Sequence, residues 1–268
     1  MYKAIVMDLD GTLLTSARSV LLQDIEALER AREKGCTIVL ASGRSLHHME
    51  KILRQLDYNK EGQYYIAYNG AMVLSAKDQQ PLLKKTIDPE TVRWFIRTAR
   101  KHCEKINIHL YQTDRYYIER DHPATEIYES SGIGKAVRIS DLMEIADQGI
   151  LNAAFLGTGE NWQKKLLSEI DLSGGFQLVP SSPLLLEYAD PQVNKGSSVR
   201  WLMDRLGIPM EEVICVGDDQ NDLPMIRAAG LGIAMKNAPE TVQAQADLVT
   251  EKTNDEGGIA WIVERYLA

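Results

Sequence analysis

The run Tyr2-Lys3-Ala4-Ile5-Val6-Met7-Asp8-Leu9-Asp10-Gly11-Thr12-Leu13-Leu14 decides how the rest of the chain is read. Its apolar, partly β-branched first half stops abruptly at Asp and Gly, the pattern of a buried strand that ends in a polar turn. Side chains alternate along an extended chain. Asp8 and Asp10 therefore approach one locus from the same side, while Leu9 points away and leaves its backbone facing that locus. In an open α/β sheet, ligands bind outside the carboxyl ends of the strands. Asp and Gly are also common turn formers, so the same residues suit a plain tight turn.

Outward from this run, strand and helix alternate. Leu21, Ile25 and Leu28 fall at helical spacing in a segment that stops at Gly35, a first covering helix. Residues 36–41 read as a second buried strand, ending in Ser42-Gly43-Arg44-Ser45 before an amphipathic helix over 46–57, on which His47-His48 read as a surface pair. A hydroxyl, a glycine and a basic residue ahead of a helix N-terminus suit anion binding. Ser42 or Ser45 equally suits a simple N-cap. Residues 64–68 and 72–74 read as a hairpin about Asn69-Gly70, a turn signal that explains the pair without a ligand.

From about residue 84 the character changes. Asp88-Pro89-Glu90 opens a helix with Val92, Phe95, Ile96, Ala99 and Cys103 as one apolar stripe. Strands over 106–112 and 115–119, a mixed stretch of 132–147, a strand over 151–156, a helix over 161–170 and strands near 176–179 and 184–188 follow. Strands in quick succession with few crossovers indicate a mostly antiparallel α+β unit. The predicted architecture is α/β. A doubly wound, mostly parallel, Rossmann-like core of residues 1–83 and 190–268 carries an inserted α+β domain of residues 84–189. Within the insert, His102, His109 and His122 share no metal-ligand spacing and read as scattered surface or core residues. The facing of Tyr111-Gln112-Thr113-Asp114-Arg115-Tyr116-Tyr117 and of Leu186-Glu187-Tyr188 is not fixed by their pattern.

The βαβ pattern resumes at Asn194-Lys195-Gly196-Ser197, which opens a helix with Val199, Leu202, Met203 and Leu206 on one face. A lysine in the first turn opposes the helix dipole. It has an anionic partner or is a solvated lysine of the entry loop. Residues 213–216 form a strand ending in Gly217-Asp218-Asp219-Gln220-Asn221-Asp222. Carboxylates so close repel and raise one another's pKa, which a divalent cation resolves; oxygen ligands suit Mg²⁺. Asp222 also suits the N-cap of the helix that begins near Leu223-Pro224. A strand over 232–235, a helix opened by Pro239, a short strand at 248–249 and a helix over 258–267 close the pattern.

Composition narrows the function classes. The 268 residues, 44% hydrophobic and 25% charged, suffice for one large or two modest domains. A net charge of −8 opposes a general nucleic-acid or membrane-surface role, leaving room for a local cationic pocket. Cys36, Cys103 and Cys215 lie far apart in apolar contexts and read as free buried thiols, not as a disulfide or zinc framework. No apolar run reaches membrane-spanning length and no charged leader with an apolar signal core precedes the first strand. The expectation is a cytoplasmic protein, monomeric or weakly homo-oligomeric, acting on a small molecule.

Four presumed strand ends of one parallel sheet thus carry Asp8/Asp10, Ser42-Gly43-Arg44, Lys195 and Asp218–Asp222 in chain order. Asp-Leu-Asp-Gly-Thr-Leu-Leu, Ala-Ser-Gly-Arg, Lys-Gly and Gly-Asp-x-x-Asn-Asp resemble the four motifs of the haloacid dehalogenase superfamily. With about a hundred residues between the second and third, the chain resembles the Cof-type branch of sugar phosphatases, whose cap is an α/β domain. The resemblance spans the whole length and is weakest in the cap. Before Lys195, Glu187-Tyr188-Ala189-Asp190-Pro191-Gln192-Val193-Asn194 departs from the family's Glu-Ile-x-Pro-x-Gly-Val-x-Lys-Gly run, shifting the proline and replacing the glycine. The resemblance implies a phosphatase acting on small phosphorylated metabolites such as sugar phosphates. Asp8 would be the nucleophile forming an aspartyl-phosphate, and Asp10 the general acid and base. Mg²⁺ would be held by Asp8, the Asp10 carbonyl and Asp218. Ser42, the backbone of Leu9 and Gly43, Lys195 and Asn221 would meet the phosphoryl oxygens. Arg44, Asp219 and Asp222 would be supporting residues. A phosphomutase or phosphotransferase on the same core, and a non-catalytic sugar-phosphate sensor, are the alternatives.

Overall fold

The structure, a computed structural model, describes residues 2–113, 115–130 and 135–267; the side chains of 46–48, 50 and 51 also lie outside the described set. Asp114 and the His47-His48 side chains, both read above, thus fall outside it. Its strands are β1 (Ala4–Met7), β2 (Thr37–Ala41), β3 (Gln63–Ala67), β4 (Met72–Ser75), β5 (Pro81–Lys84), β6 (Ile106–Tyr111), β7 (Tyr116–Ile118), β8 (Val137–Arg138), β9 (Asn152–Gly157), β10 (Gln177–Ser182), β11 (Leu185–Ala189), β12 (Val213–Gly217), β13 (Leu231–Ala234) and β14 (Leu248–Val249). The chain divides into two compact units. One comprises residues up to 44, 49–84 and 193 onward; the other comprises 45–48 and 85–192.

In the first unit the strand order is β14-β13-β12-β1-β2-β3-β4-β5, parallel from β14 to β3 and antiparallel at β4 and β5. β1 lies at the centre, with Ala4 opposite Val213 on one side and Thr37 on the other. All four β1 residues and all five of β12 are buried. That is why both sequences run continuously apolar instead of alternating. β5 escaped the sequence reading because Pro81-Leu82-Leu83-Lys84 is a half-exposed edge strand with a proline at its start.

Helix α1 (Leu22–Glu33) packs against the C-terminal helix, Gly258–Tyr266, through a group its polar appearance hides. Asp24 is fully buried; its Oδ1 accepts the Ala260 N–H at 2.7 Å, and its Oδ2 has no partner. Burial raises this carboxyl to about 6 against the ordinary 3.8. A raised pKa means the folded state holds the proton more tightly. Its contribution to stability is full below about pH 4 and is lost as pH rises through about 6, on the order of 3 kcal/mol. Asp24→Asn, which keeps the acceptor for Ala260, is expected to melt higher than the parent protein at pH 7. The gap should close below pH 4 in a thermal-melt series, and a gap independent of pH would refute the assignment.

The second unit holds a six-stranded sheet, counted over the described residues, in the order β10-β11-β9-β6-β7-β8, antiparallel except at β7–β8. Helix α2 spans Leu46–Gln55, its residues from 49 onward belonging to the first unit. Next, α3 (Pro89–Lys101) is capped by Asp88, which accepts the Glu90 and Thr91 N–H groups, and buries Val92, Phe95, Ile96 and Ala99. The helix ends at Lys101, two residues short of the end of the expected stripe, so Cys103 lies exposed beyond it and only Cys36 and Cys215 are buried thiols. Ile106, Ile108 and Leu110 of β6 join the apolar core with Phe155 and Phe176. The intervening Asn107, His109 and Tyr111 are also buried. They meet a helix over Pro123–Ser130 that the sequence reading left unassigned; Ala124, Thr125 and Tyr128 are its buried residues, too weakly apolar to give a period. His109 contacts Thr125 Oγ1 at 2.9 Å and Tyr111 OH at 3.3 Å, and burial pushes its pKa down to about 3, so it is a neutral core group. Tyr188 packs on the apolar core, whereas Glu187 accepts from Asn152 Nδ2 at 2.8 Å. Among the described residues no helix is long and apolar enough to cross a membrane.

Candidate active site

The carboxyl ends of β1, β2 and β12 lie side by side at the centre of the first sheet, and each turns into a polar loop. Lys195 does not arrive on the strand end expected for it. It is the first residue of the helix Lys195–Leu206, whose N-cap Asn194 forms a reciprocal capping box with Ser197. The position is electrostatically poor for a cation on the helix itself, and the structure supplies the missing partners. Lys195 is fully buried, and its Nζ donates to Asp8 Oδ1 at 2.6 Å and to Asp222 Oδ1 at 2.7 Å.

Asp8, Asp218 and Asp222 form the acidic cluster, with one carboxylate oxygen from each lying within 4.8 Å of the others. The second carboxylate beside Asp8 is thus not that of Asp10. Asp10 follows the strand end, half exposed, and its carboxylate takes both arms of a fork from Arg44, Nε to Oδ2 at 2.7 Å and Nη2 to Oδ1 at 2.5 Å. Asp222 does not cap the helix that starts at Leu223. Its Oδ2 instead reaches back to accept the Asp218 and Asp219 N–H groups, both at 3.0 Å, leaving Oδ1 for Lys195. Asp219 is exposed, accepts the Gln220 N–H at 2.7 Å and stands outside the cluster. Asp218 is oriented by Thr12, whose hydroxyl donates to its Oδ1 at 2.7 Å. Such close approach of the two loops requires glycine at position 11: a Cβ there would fall 2.2 Å from Asp218 Oδ2, and its φ of 79° is left-handed.

These groups perturb one another in a consistent sense. Burial, then repulsion from Asp222 and Asp218, pushes the Asp8 carboxyl up to about 8 despite the pull of Lys195. Burial together with Asp222 and Asp219 raises Asp218 to about 6, against the hydrogen bond from Thr12. Burial alone would lower the Lys195 ammonium, but Asp8 and Asp222 hold it above its ordinary range. Three carboxylates therefore share one ammonium in a dry setting, an excess of negative charge that an added cation would relieve. The donors are all oxygen, which fits a hard divalent ion.

On the facing loop, Ser42 is buried and its Oγ accepts the Arg44 N–H at 3.1 Å, leaving the hydroxyl proton available. Asn221 is exposed and donates its Nδ2 to Asn69 Oδ1 at 3.0 Å. Thr12 and Asn69 are the residues that sequence reasoning missed. Thr12 lies within the quoted run, but its partner is 206 residues away. Asn69 was fully explained by its turn.

Comparisons with known proteins fit this geometry. The Bacillus subtilis protein YxeH is 32% identical over 272 residues, covering all of both chains. The phosphatase YwpJ of the same organism is 30% identical over 295 residues, covering 99% of this chain and all of its own. A haloacid dehalogenase-like hydrolase from Bacteroides thetaiotaomicron superposes with a TM-score of 0.87 at 31% identity, covering 99% of each chain. The family model for haloacid dehalogenase-like hydrolases matches residues 5–263, and the chain belongs to that family.

Proposed function

We propose that the protein is a Mg²⁺-dependent phosphatase of small phosphomonoesters, sugar phosphates foremost, working through an aspartyl-phosphate. The observation that carries this reading is the buried Lys195 held between Asp8 and Asp222 beside Asp218. A carboxylate at the end of the central strand is a nucleophile that splits a difficult hydrolysis into two steps. Asp8 attacks phosphorus, and the bond to the ester oxygen breaks as Asp10 delivers its proton to the leaving alcohol. Water then attacks the same phosphorus. Asp10 takes its proton, the Asp8–phosphorus bond breaks, and orthophosphate leaves with Asp8 restored. To serve in both steps Asp10 has to release the guanidinium of Arg44, which holds both of its carboxylate oxygens.

Asp8, Asp218 and the Asp10 carbonyl would hold Mg²⁺, which when bound neutralises charge on the transferring phosphoryl group. Asp222 positions Lys195, and Lys195 together with Ser42, Asn221 and the backbone of Leu9 and Gly43 meets the phosphoryl oxygens. A dianion entering among carboxylates needs both cations, so the same charges bind substrate and stabilise the transition state. Phosphate release from a panel of sugar phosphates, nucleotides, pyridoxal phosphate and an aryl phosphate tests the reading. Release is expected with Mg²⁺, with a fall of at least about a hundredfold in chelator and recovery on adding the ion back. Equal rates with and without chelator would exclude the metal role. Phosphate transfer to an added sugar in place of water would make the protein a transferase.

A further inference from the structure

The turn between β3 and β4 is more than a hairpin closure. Ala67 pairs with Met72, so four residues, Tyr68 to Ala71, span the gap, one more than the expected strand ends left. Tyr68 and Asn69 both have φ of 52° and Gly70 has 111°. Asn and Gly visit this region readily, but a bulky Tyr does so only where its surroundings impose it, and such strain gathers at functional sites.

The surroundings are the predicted phosphate-binding loops. The Tyr68 N–H donates to the Arg44 carbonyl and the Asn69 N–H to the Ser42 carbonyl, both at 3.1 Å. The amide of Asn69 lies on Gly43, where a Cβ would stand 3.1 Å from both its oxygen and its nitrogen. Its Oδ1 accepts Asn221 Nδ2 at 3.0 Å. On the other side, the Gly70 carbonyl accepts the Ser198 hydroxyl at 2.6 Å, on the helix that begins with Lys195. A single turn thus touches the Ser42–Gly43 loop, Asn221 and the helix that carries Lys195.

We infer that Asn69 is a positioning residue of the phosphate site, fixing the amide of Asn221 so that its second N–H faces the phosphoryl oxygens across Gly43. The inference rests on the phosphatase reading. An amide group is free to present oxygen or nitrogen to an anion, and only nitrogen is productive. Asn69 Oδ1 settles that choice by taking one Asn221 proton, leaving the other for substrate. Because the contact is made to a group present in both substrate and transition state, its loss falls on KM more than on kcat.

The test is a double-mutant cycle on the full chain, read with an aryl phosphate as substrate and inorganic phosphate as competitive inhibitor. Asn69→Gly keeps the left-handed turn, since glycine accepts positive φ, and removes the amide. It is expected to raise KM and the inhibition constant of inorganic phosphate together, about tenfold, with kcat within about threefold and an unchanged melting temperature. In an Asn221→Ala background the same change is expected to add less than about twofold, because residues acting through one another are not additive. Unchanged KM and inhibition constant in Asn69→Gly, or full additivity with Asn221→Ala, would overturn the inference while leaving the phosphatase intact. A parent protein that neither releases nor binds phosphate would overturn the phosphatase reading and this inference with it.

Discussion

Asp8→Asn is expected to abolish phosphate release while leaving the fold in place. The carboxylate stands at the end of the central strand, buried, with Lys195 at 2.6 Å and Asp218 close by. An amide of the same shape fills the space but has no anionic oxygen to attack phosphorus, and no neighbouring carboxylate reaches the same point, since Asp222 is held by Lys195 and the backbone of Asp218 and Asp219. The loss should be on the order of 10⁴-fold or more in kcat, as for other nucleophile deletions. Stability should not fall with it. Burial and two neighbouring carboxylates disfavour the charged form of Asp8, so a neutral amide removes repulsion even as it weakens one ion pair. Steady-state turnover alongside a melting curve checks both parts. Activity within tenfold of the parent protein would remove Asp8 from the nucleophile role.

Lys195→Met has the largest expected effect on the fold. The side chain is fully buried and donates to two carboxylates, Asp8 at 2.6 Å and Asp222 at 2.7 Å. Methionine matches the length of the stem and leaves both carboxylates without their cation. Removing one partner from a buried ionic group costs about 3–5 kcal/mol, because the remaining charge stays desolvated and unpaired. Denaturant unfolding should show a loss of that size, along with turnover falling below detection. The double variant Lys195→Met with Asp222→Asn separates the two effects. It is expected to regain part of the stability, by neutralising one of the two stranded carboxylates, and none of the activity. Recovery of turnover in the double variant would show that Lys195 serves the fold alone.

Much of the site could be read along the chain because its chemistry stands at the ends of apolar runs. Ile5-Val6-Met7 before Asp8 and Ile214-Cys215-Val216 before Gly217 are buried on both faces, so polar residues that follow them have to sit at a sheet end. What could not be read is which carboxylate pairs with which cation. Asp10 looked like the neighbour of Asp8 at a spacing of two, yet the strand proper ends at Met7 and Asp10 turns out to Arg44. Asp222 looked like a helix cap because caps and turn-braces use the same residue types, and only the position of Lys195 distinguishes them. Asn69 was hidden by sufficiency: Asn-Gly justifies itself as a turn, so nothing in the pair calls for a second role. Cys103 kept the helical period two residues past the point where the helix stops, whereas the helix over Pro123–Ser130 showed no period because its buried face is made of Ala, Thr and Tyr.

The central place of β1 also governs the order in which the protein can be built. Its neighbours are β2, starting 33 residues after Ala4 at Thr37, and β12, whose Val213 pairs with Ala4 across the whole intervening chain. During synthesis the strand that bears Asp8 leaves the ribosome well ahead of β12 and has β2 as its single partner while the chain between them is made. Lys195, Asp218 and Asp222 emerge late and on the far side of that long loop. Until they arrive the strand is an unpaired apolar edge, the kind of surface that invites wrong pairing between chains. The same step that seals this edge also brings Lys195, Asp218 and Asp222 to Asp8, so an unfinished chain has neither a protected sheet nor a complete candidate site.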